Sequence, residues 1–399
     1  MTSALAPIAK SSWTLDPSVT YLNHGAFGAC PAPVLAAQTE LRAQLEREPT
    51  QFFGYALEKL LDAARASLAS TIGCADDDLA FVTNATQGVN TVLRSLPFAA
   101  GDEILLTDQG YNACRNAAEL RARETQAKVV TARVPFPLSG ADAIVDAVLE
   151  RVTPRTRLAL LDHVTSPTGV VFPIARLVRE LRARGVETLV DGAHAPGMVP
   201  LDLAAIGAAY YTANCHKWLC APKGAAFLWV RPDLQLGIRP LVISHGANSA
   251  RIDRSLFRLE FDWTGTDDPT PYLCVPAALS FLKELTAGGI GGLMARNHHL
   301  AIAARELLCR ELGIAAPSPA ETIGSLAAVP IPDGRGGRAG ERDPQELQLF
   351  ERFRIEVPIF PWPATPKRLL RISAQAYNGI EDYEKLGAAL REILSLTAR

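Results

Sequence analysis

Seven short apolar runs rich in β-branched and aromatic residues place the strongest constraint on the fold of this chain. They are "LAFVT" (79–83), "EILLT" (103–107), "AKVVT" (127–131), "RLALLDH" (157–163), "VETLVD" (186–191), "AAYYTA" (208–213) and "AAFLWV" (225–230). Stretches of helical period lie between most of them, at 87–96, 114–124, 141–151 and 174–184. This alternation predicts a mostly parallel sheet with helices on both faces. In such sheets, ligands bind at the carboxyl ends of the strands.

The pattern changes after residue 230. The strand–helix alternation fades, and longer helical patterns appear at 275–285 and 293–312, so we predict a domain boundary near residue 270. The stretch "IPDGRGGRAGERDPQ" (331–345) lacks apolar periodicity and is rich in Gly and Arg, which is typical of a surface loop.

Composition narrows the class of partner. With 40 Lys and Arg against 42 Asp and Glu, the net charge of −2 shows no basic footprint for nucleic acid, so a small-molecule partner is expected. No apolar run approaches the length of a membrane span. The seven cysteines form no CxxC pair, which predicts free thiols in a reducing compartment. We therefore expect a cytoplasmic protein without membrane or nucleic-acid partners.

Reactive side chains collect at the predicted strand ends. Asp191 closes the run 186–191 and His194 follows at once, while Lys217 lies between the last two runs. Four of the seven histidines lie at or just beyond these ends, namely His163, His194, His216 and His245. Because the carboxyl ends of parallel strands meet at one edge, these groups are expected to form one site.

Three of these features have both a chemical and a purely structural interpretation. The helix that starts near residue 87 offers free N–H groups for a phosphate, with Asn84 and Thr86 adding donors, or those residues are plain caps. Asp191 can hold a cationic ring nitrogen or cap the turn that follows it. Lys217 can form an imine if burial lowers its pKa, or it can be simply solvated. Together the three chemical interpretations match the requirements of pyridoxal phosphate.

Other cofactors fit the sequence less well. No GxGxxG follows the first strands, and no GxxxxGK[ST] occurs. A metal site built from Asp191, His194, Cys215 and His216 is disfavoured because no metal-ligand spacing repeats. We therefore expect no metal.

A set of motifs in the chain resembles the class V aminotransferase family of fold-type I pyridoxal-phosphate enzymes. "VDGAHAPG" (190–197) contains Asp191, and the Lys of "NCHKWLCAPKG" (214–224) follows that Asp by 26 residues. Further matching segments are "YLNHGAFGACP" (21–31), "TNATQGVN" (83–90), "DHVTSPTGVVFP" (162–173), "WTGTDDPTPYL" (263–273) and "LRISAQAYN" (370–378). The set is most similar to the isopenicillin N epimerase-like branch.

The resemblance implies an α/β protein with fold-type I architecture. A large cofactor-binding domain would span 21–270 around a mostly parallel seven-stranded sheet. A smaller α+β domain would span 271–399, and an N-terminal arm over 1–20 would pack with it. The resemblance also implies a homodimer with shared active sites, in which Gly265 and Thr266 reach the phosphate site of the neighbouring chain.

The resemblance also assigns roles to individual residues. Lys217 would be the Schiff-base lysine, Asp191 would pair with the pyridine nitrogen, and the ring of Tyr111 would cover one face of the cofactor. His194 and Ser166 would approach the phenolic oxygen. The phosphate would be held by Asn84, Ala85, Thr86, Asn214 and His216. The predicted catalytic residues are Lys217, Asp191, His194 and Tyr111.

Arg371 is the predicted substrate anchor. It is flanked by apolar residues in a strand-like alternation, so its side chain should point into the protein. A buried guanidinium needs an anion, either the substrate α-carboxylate or an internal acid. Asn23 and His24 are expected near the substrate as well.

Several reactions share the expected first step, removal of the substrate Cα proton by Lys217. Epimerisation ranks first, with Tyr111 or a water that it holds as the second acid, followed by C–S lysis and then transamination. A cofactor-binding protein without activity is disfavoured because Lys217, Asp191 and Arg371 are all present. The stretch 311–370 contains no Cys, which disfavours the thiol-loop chemistry of cysteine desulfurases.

Overall fold

The computed structural model describes residues 5–334 and 342–394, so the predicted loop at 331–345 falls partly outside the described residues. The main sheet has seven strands in the order β2-β8-β7-β6-β5-β3-β4. These strands are β2 Leu79–Val82, β3 Glu103–Thr107, β4 Lys128–Ala132, β5 Thr156–Asp162, β6 Glu187–Asp191, β7 Tyr210–Asn214 and β8 Ala226–Val230. Each matches one of the seven apolar runs, and only β8 is antiparallel to its neighbours.

Helices connect the strands of the main sheet. They are α5 Ala85–Ser95, α6 Asn112–Thr125, α7 Ala141–Leu149, α8 Ile174–Arg182 and α9 Leu203–Ile206. Helix α5 begins two residues before the apolar period predicts, because the Asn84 side chain accepts a hydrogen bond from the Gln87 N–H and caps the helix. The prediction of a doubly covered, mostly parallel sheet is confirmed.

The remaining elements precede or follow this sheet. The N-terminal part contains β1 Thr20–Tyr21, α1 His24–Phe27, α2 Ala32–Arg47, α3 Pro49–Gln51, a π-helix Phe52–Ala56 and α4 Leu57–Ile72. After the sheet come α10 Leu256–Phe261, α11 Thr270–Leu273, α12 Val275–Glu284, α13 Gly289–Leu312, β9 Leu326–Ile331, α14 Pro344–Phe353, β10 Ile355–Glu356, β11 Ile359–Pro361, β12 Arg368–Ser373 and α15 Ile380–Ile393. Within the described residues, no single helix is long and apolar enough to cross a membrane.

The C-terminal part has its own sheet and core. Strands β11, β12 and β9 form an antiparallel sheet, and β1 pairs with β10 in parallel. Helices α13 and α15 pack on this sheet around Leu300, Leu308 and Leu386, whereas α12 packs in the core of the main sheet through Leu279. The placement of the domain boundary near residue 270 stays a prediction.

The N-terminal arm contacts the C-terminal part. The Ile8 N–H donates to the Ala376 carbonyl oxygen at 2.8 Å, and Arg296 Nη2 donates to the Ala6 carbonyl oxygen at 2.8 Å. Leu22 adds its side chain to the C-terminal core. These contacts agree with an arm that packs on the smaller domain.

Helix α5 approaches the sheet closely at one glycine. A Cβ added at Gly88 would collide with Thr212 Oγ1 on β7. The missing side chain therefore sets the distance between β7 and the helix whose first turn borders the sheet's carboxyl edge.

Replacing Gly88 by Ala should therefore destabilise the protein. We expect a loss of about 1–3 kcal/mol in the free energy of unfolding, because the added methyl group overpacks the contact with Thr212. Urea unfolding followed by circular dichroism measures the change. The matched control is Gly291→Ala in α13, where the new Cβ meets no atom within 4 Å and should stabilise by about 0.5–1 kcal/mol through helix propensity. Equal effects of the two changes would contradict the close approach of α5.

Candidate active site

The carboxyl ends of the parallel strands bring most of the predicted site residues to one edge of the sheet. Strands β5, β6 and β7 end at Asp162, Asp191 and Asn214, and Lys217 lies three residues beyond β7. On two further strands of the sheet, Asn84 follows β2 and Tyr111 follows β3. The grouping is a consequence of strand direction, since all of these strands run the same way.

Lys217 has a reactive environment. Its Nζ lies 3.2 Å from His194 Nε2. Burial lowers the pKa of Lys217 to about 8. The negative charge of Asp191 opposes this effect, and the positive charge of Arg371 reinforces it. A lysine with this pKa is partly unprotonated near neutral pH, so it can act as a nucleophile or a base.

His194 is buried and held in one tautomer. The indole N–H of Trp218 donates to His194 Nδ1 at 3.4 Å, so the proton of the neutral ring lies on Nε2. Burial and the nearby charges of Lys217 and Arg371 hold the pKa of His194 well below its ordinary value. The neutral His194 therefore donates its Nε2–H to the unprotonated amine of Lys217.

Asp191 is a buried carboxylate with two donors. Its Oδ1 accepts from the Ala193 N–H at 3.0 Å, and its Oδ2 accepts from the Cys114 thiol at 3.1 Å. The adjacent strand places Asp162 in register beside it. Burial and the charge of Asp191 raise the pKa of Asp162 well above its ordinary value.

Asp162 and Cys114 are site residues that the sequence interpretation missed. A signal for Asp162 was present, because one predicted strand ends at Asp191 and another has Asp162 as its next-to-last residue. Cys114 lies three residues after Tyr111 on a helix, which is the spacing of one helical face. Neither signal states which strands are neighbours, so neither was sufficient alone.

The first turn of α5 forms a cradle of hydrogen-bond donors. Asn214 Oδ1 accepts from the Ala85 N–H at 2.8 Å, which fixes the helix start to the end of β7. Across the described ranges, the main-chain N–H and the hydroxyl of Thr86 have no acceptor. His216 donates Nδ1–H to the Ala225 carbonyl oxygen at 2.9 Å, and burial lowers the pKa of His216 to about 4.

Arg371 on β12 is buried and incompletely satisfied. Its Nη1 donates to the main-chain and side-chain oxygens of Ser166 at 2.7 and 3.0 Å, and its Nη2 donates to Asn23 Oδ1 at 3.5 Å. Its Nε has no hydrogen-bond partner among residues 5–334 and 342–394, and burial lowers the pKa of Arg371 to about 10. In the part of the chain that the structure describes, no acid forms a salt bridge with it. Ser166 and Asn23 thus gather around the guanidinium.

His24 lies beneath Lys217. Its ring is fully buried, Nδ1 accepts from the Tyr377 hydroxyl at 2.8 Å, and Nε2 donates to the Lys217 carbonyl oxygen at 3.0 Å. The Ala29 N–H also points at Nδ1, which assigns the proton to Nε2. Burial lowers the pKa of His24 to about 3, so the ring is neutral. His24 therefore supports the lysine main chain from within the protein.

Three further predicted residues lie toward the periphery. Tyr111 is 46% exposed immediately before α6. Gly265 lines a cavity together with Thr83, and Thr266 beside it is exposed. His245 does not join the cluster, because it lines a different cavity with Phe53.

These residues fit pyridoxal phosphate. Arg371 Nε lacks a partner, and so do the donors of Thr86 among the described residues, which leaves separate places for a carboxylate and a phosphate. Lys217, Asp191 and the α5 cradle supply an amine, an acid for a ring nitrogen and a helix N-terminus. Bound there, the cofactor serves as an electron sink for the substrate Cα.

Comparisons with known proteins agree with this chemistry. The model of the family "Aminotransferase class-V" matches residues 20–333. An isopenicillin N epimerase from Amycolatopsis lactamdurans is 40% identical over 96% of this chain and 98% of its own length. A probable chloroplastic L-cysteine desulfhydrase from Arabidopsis thaliana is 33% identical over 95% of this chain and 84% of its own.

The fold is shared with solved structures. A cysteine desulfurase from Thermococcus onnurineus NA1 superposes with a TM-score of 0.80 at 18% identity, covering 97% of this chain and 98% of that one. The motifs at 190–197 and 214–224, the seven-stranded sheet and the nearly full-length similarity are mutually consistent. The chain belongs to the class V aminotransferase family, and it is a pyridoxal-phosphate-dependent enzyme.

Proposed function

We propose that this enzyme acts on an amino acid by removing its Cα proton, with epimerisation at that carbon as the favoured outcome. The observation that carries the proposal is the buried guanidinium of Arg371, which has no acid partner within residues 5–334 and 342–394. A substrate α-carboxylate supplies the missing anion through a bidentate contact. The nearly full-length similarity to an isopenicillin N epimerase supports the epimerase outcome.

The chain's own residues account for holding the cofactor. Lys217 would bond to its aldehyde carbon, and Asp191 would pair with its ring nitrogen. The phosphate would be held by Asn84, Ala85, Thr86, Asn214 and His216. His194 donates to the Lys217 amine and would lie near the phenolic oxygen. The bound cofactor supplies the electron sink that makes the substrate Cα–H acidic.

Lys217 is the proposed base for the Cα proton. Its lowered pKa leaves part of the amine neutral near neutral pH, and the neutral amine can accept a proton. Arg371, with Ser166 and Asn23 around it, would orient the substrate by its carboxylate. The half-exposed Tyr111, or a water that it holds, is the proposed acid on the opposite face.

C–S lysis is the second candidate function. It is favoured by the similarity to a probable L-cysteine desulfhydrase over most of both chains. Because 311–370 contains no Cys, the chain has no thiol in that stretch to accept sulfur, and a lyase would release the sulfur group directly. Transamination ranks third.

A second copy of this chain is the proposed partner. Several large apolar side chains are exposed along one stretch: Leu236, Leu241, Val242, Ile243 and Ile252. Exposed apolar patches of this kind mark interfaces. In a homodimer, Gly265 and Thr266 would reach the partner's phosphate site. Light scattering on the holoenzyme tests this assembly. We propose that the enzyme is located in the cytoplasm.

The first prediction concerns the amine of Lys217. In the cofactor-free protein, its rate of reaction with acetic anhydride should rise with pH around a midpoint near 8, because only the neutral amine reacts. Mass spectrometry quantifies the label, with exposed Lys128 as the internal standard. Asp191→Asn should lower the midpoint further, since the acid's charge raises this pKa. A midpoint near the ordinary lysine value of 10.5 would refute the lowered pKa.

The second prediction concerns Arg371. Arg371→Lys keeps the positive charge but loses the planar pair of N–H donors that binds a carboxylate at two points. KM for the substrate should therefore rise about 10- to 100-fold, which corresponds to roughly 1.5–3 kcal/mol for a charge-assisted hydrogen bond. Steady-state kinetics measure the effect. Arg368→Lys on the same strand is the matched control, because Arg368 is paired with Asp343 and should leave KM unchanged. An unchanged KM in Arg371→Lys would assign Arg371 to structure.

The third prediction separates the reactions. In deuterated water, an epimerase should incorporate deuterium at Cα and invert the configuration. Release of keto acid, ammonia and a sulfur product would indicate the lyase, and formation of pyridoxamine phosphate the transaminase. Chiral chromatography with mass spectrometry of a panel of amino acids measures all three. If no amino acid exchanges its Cα proton, removal of that proton is not the reaction of this enzyme.

A further inference from the structure

We propose that Cys114 is a positioning residue whose thiol holds the Asp191 carboxylate in place for the ring nitrogen of the cofactor. The inference rests on the cofactor role proposed for Asp191. Cys114 is 3% exposed, and its Sγ lies 3.1 Å from Asp191 Oδ2. This distance is short for a thiol donor, and no other side chain of the described residues donates to Asp191.

The two donors fix the carboxylate in different ways. The N–H of Ala193, two residues after Asp191, donates to Oδ1. This bond fixes the carboxylate only relative to its own loop. The thiol donates to Oδ2 from helix α6, which connects β3 to β4 and is distant from Asp191 in sequence. A carboxylate rotates readily about its last side-chain bond. With one donor on each oxygen, that rotation is restricted.

A thiol suits this position chemically. Cys S–H is a weak donor, so it orients Asp191 while leaving most of the negative charge available to a cationic ring nitrogen. Burial and the charge of Asp191 raise the pKa of Cys114 well above its ordinary value, which keeps the proton on sulfur.

The contact also joins two predicted parts of the site. Tyr111 is the residue immediately before α6, and Cys114 lies in the first turn of that helix. The helix that presents the Tyr111 ring is therefore hydrogen-bonded to the acid proposed for the ring nitrogen. A shift of α6 would move both groups together.

The first test reads the thiol directly and needs no activity. Infrared spectra of the full-length protein should show one S–H stretching band at the position of a strongly hydrogen-bonded thiol, and Cys114→Ala should remove it. Asp191→Ala should shift this band to the position of a free thiol. Cys274→Ala is the matched control, because Cys274 is buried and its thiol has no hydrogen bond in the described residues, so a free-thiol band should disappear instead.

The second test measures cofactor affinity. Cys114→Ala should raise the dissociation constant for pyridoxal phosphate about fivefold, the scale of one hydrogen bond. Cys114→Ser, which keeps a donor, should stay within about twofold of the parent, as should Cys274→Ala. In the Asp191→Ala background, Cys114→Ala should have no further effect, because a residue acting through Asp191 has nothing left to hold.

The outcomes are distinct. The inference would be overturned if the Cys114 S–H band lay at the position of a free thiol. It would also be overturned if Cys114→Ser bound pyridoxal phosphate as weakly as Cys114→Ala, or if Cys114→Ala weakened binding equally in the Asp191→Ala background. Cys114 would then have only a packing role. Borohydride reduction and peptide mapping check the proposed function separately, since they should label Lys217. An unlabelled Lys217 would contradict that function, while the infrared band would still decide the contact.

Discussion

Burial of ionisable side chains at one edge of the main sheet is the constraint on which the rest of this structure depends. Asp191, Asp162 and Arg371 are buried there, and Lys217 is partly buried. Charges in such places are costly unless each is paired, hydrogen-bonded or neutralised. Burial accordingly raises the pKa of Asp162 and lowers the pKa of Lys217, and Arg371 forms no salt bridge within the described residues.

The supports for these groups come from distant parts of the chain. His24, near the N-terminus, donates to the carbonyl of Lys217, and Tyr377, near the C-terminus, donates to His24. The lysine at the edge of the large sheet is thus held by the N-terminal segment and the C-terminal part together. A movement of the C-terminal part relative to His24 would therefore change the support of the Lys217 main chain.

The first turn of helix α5 is also held in place by contacts from other elements. Asn214 anchors the start of α5 to β7, and the absent side chain of Gly88 lets the helix lie against Thr212. The main-chain N–H and the hydroxyl of Thr86, which have no acceptor in the part of the chain that the structure describes, are thereby held at the carboxyl edge of the sheet. Orientation of donors before binding is what allows a helix N-terminus to hold an anion without further cost of ordering.

The sequence by itself determined the seven strands, their alternation with helices and the positions of Asp191 and Lys217, because periods of 2 and 3.6 residues are local properties of the chain. It also predicted that Arg371 is buried. Tertiary structure alone decided that Asp162 stands beside Asp191, that Cys114 binds Asp191 and that His24 lies beneath Lys217. These contacts depend on strand order and on pairing between segments up to several hundred residues apart, and no local pattern encodes either.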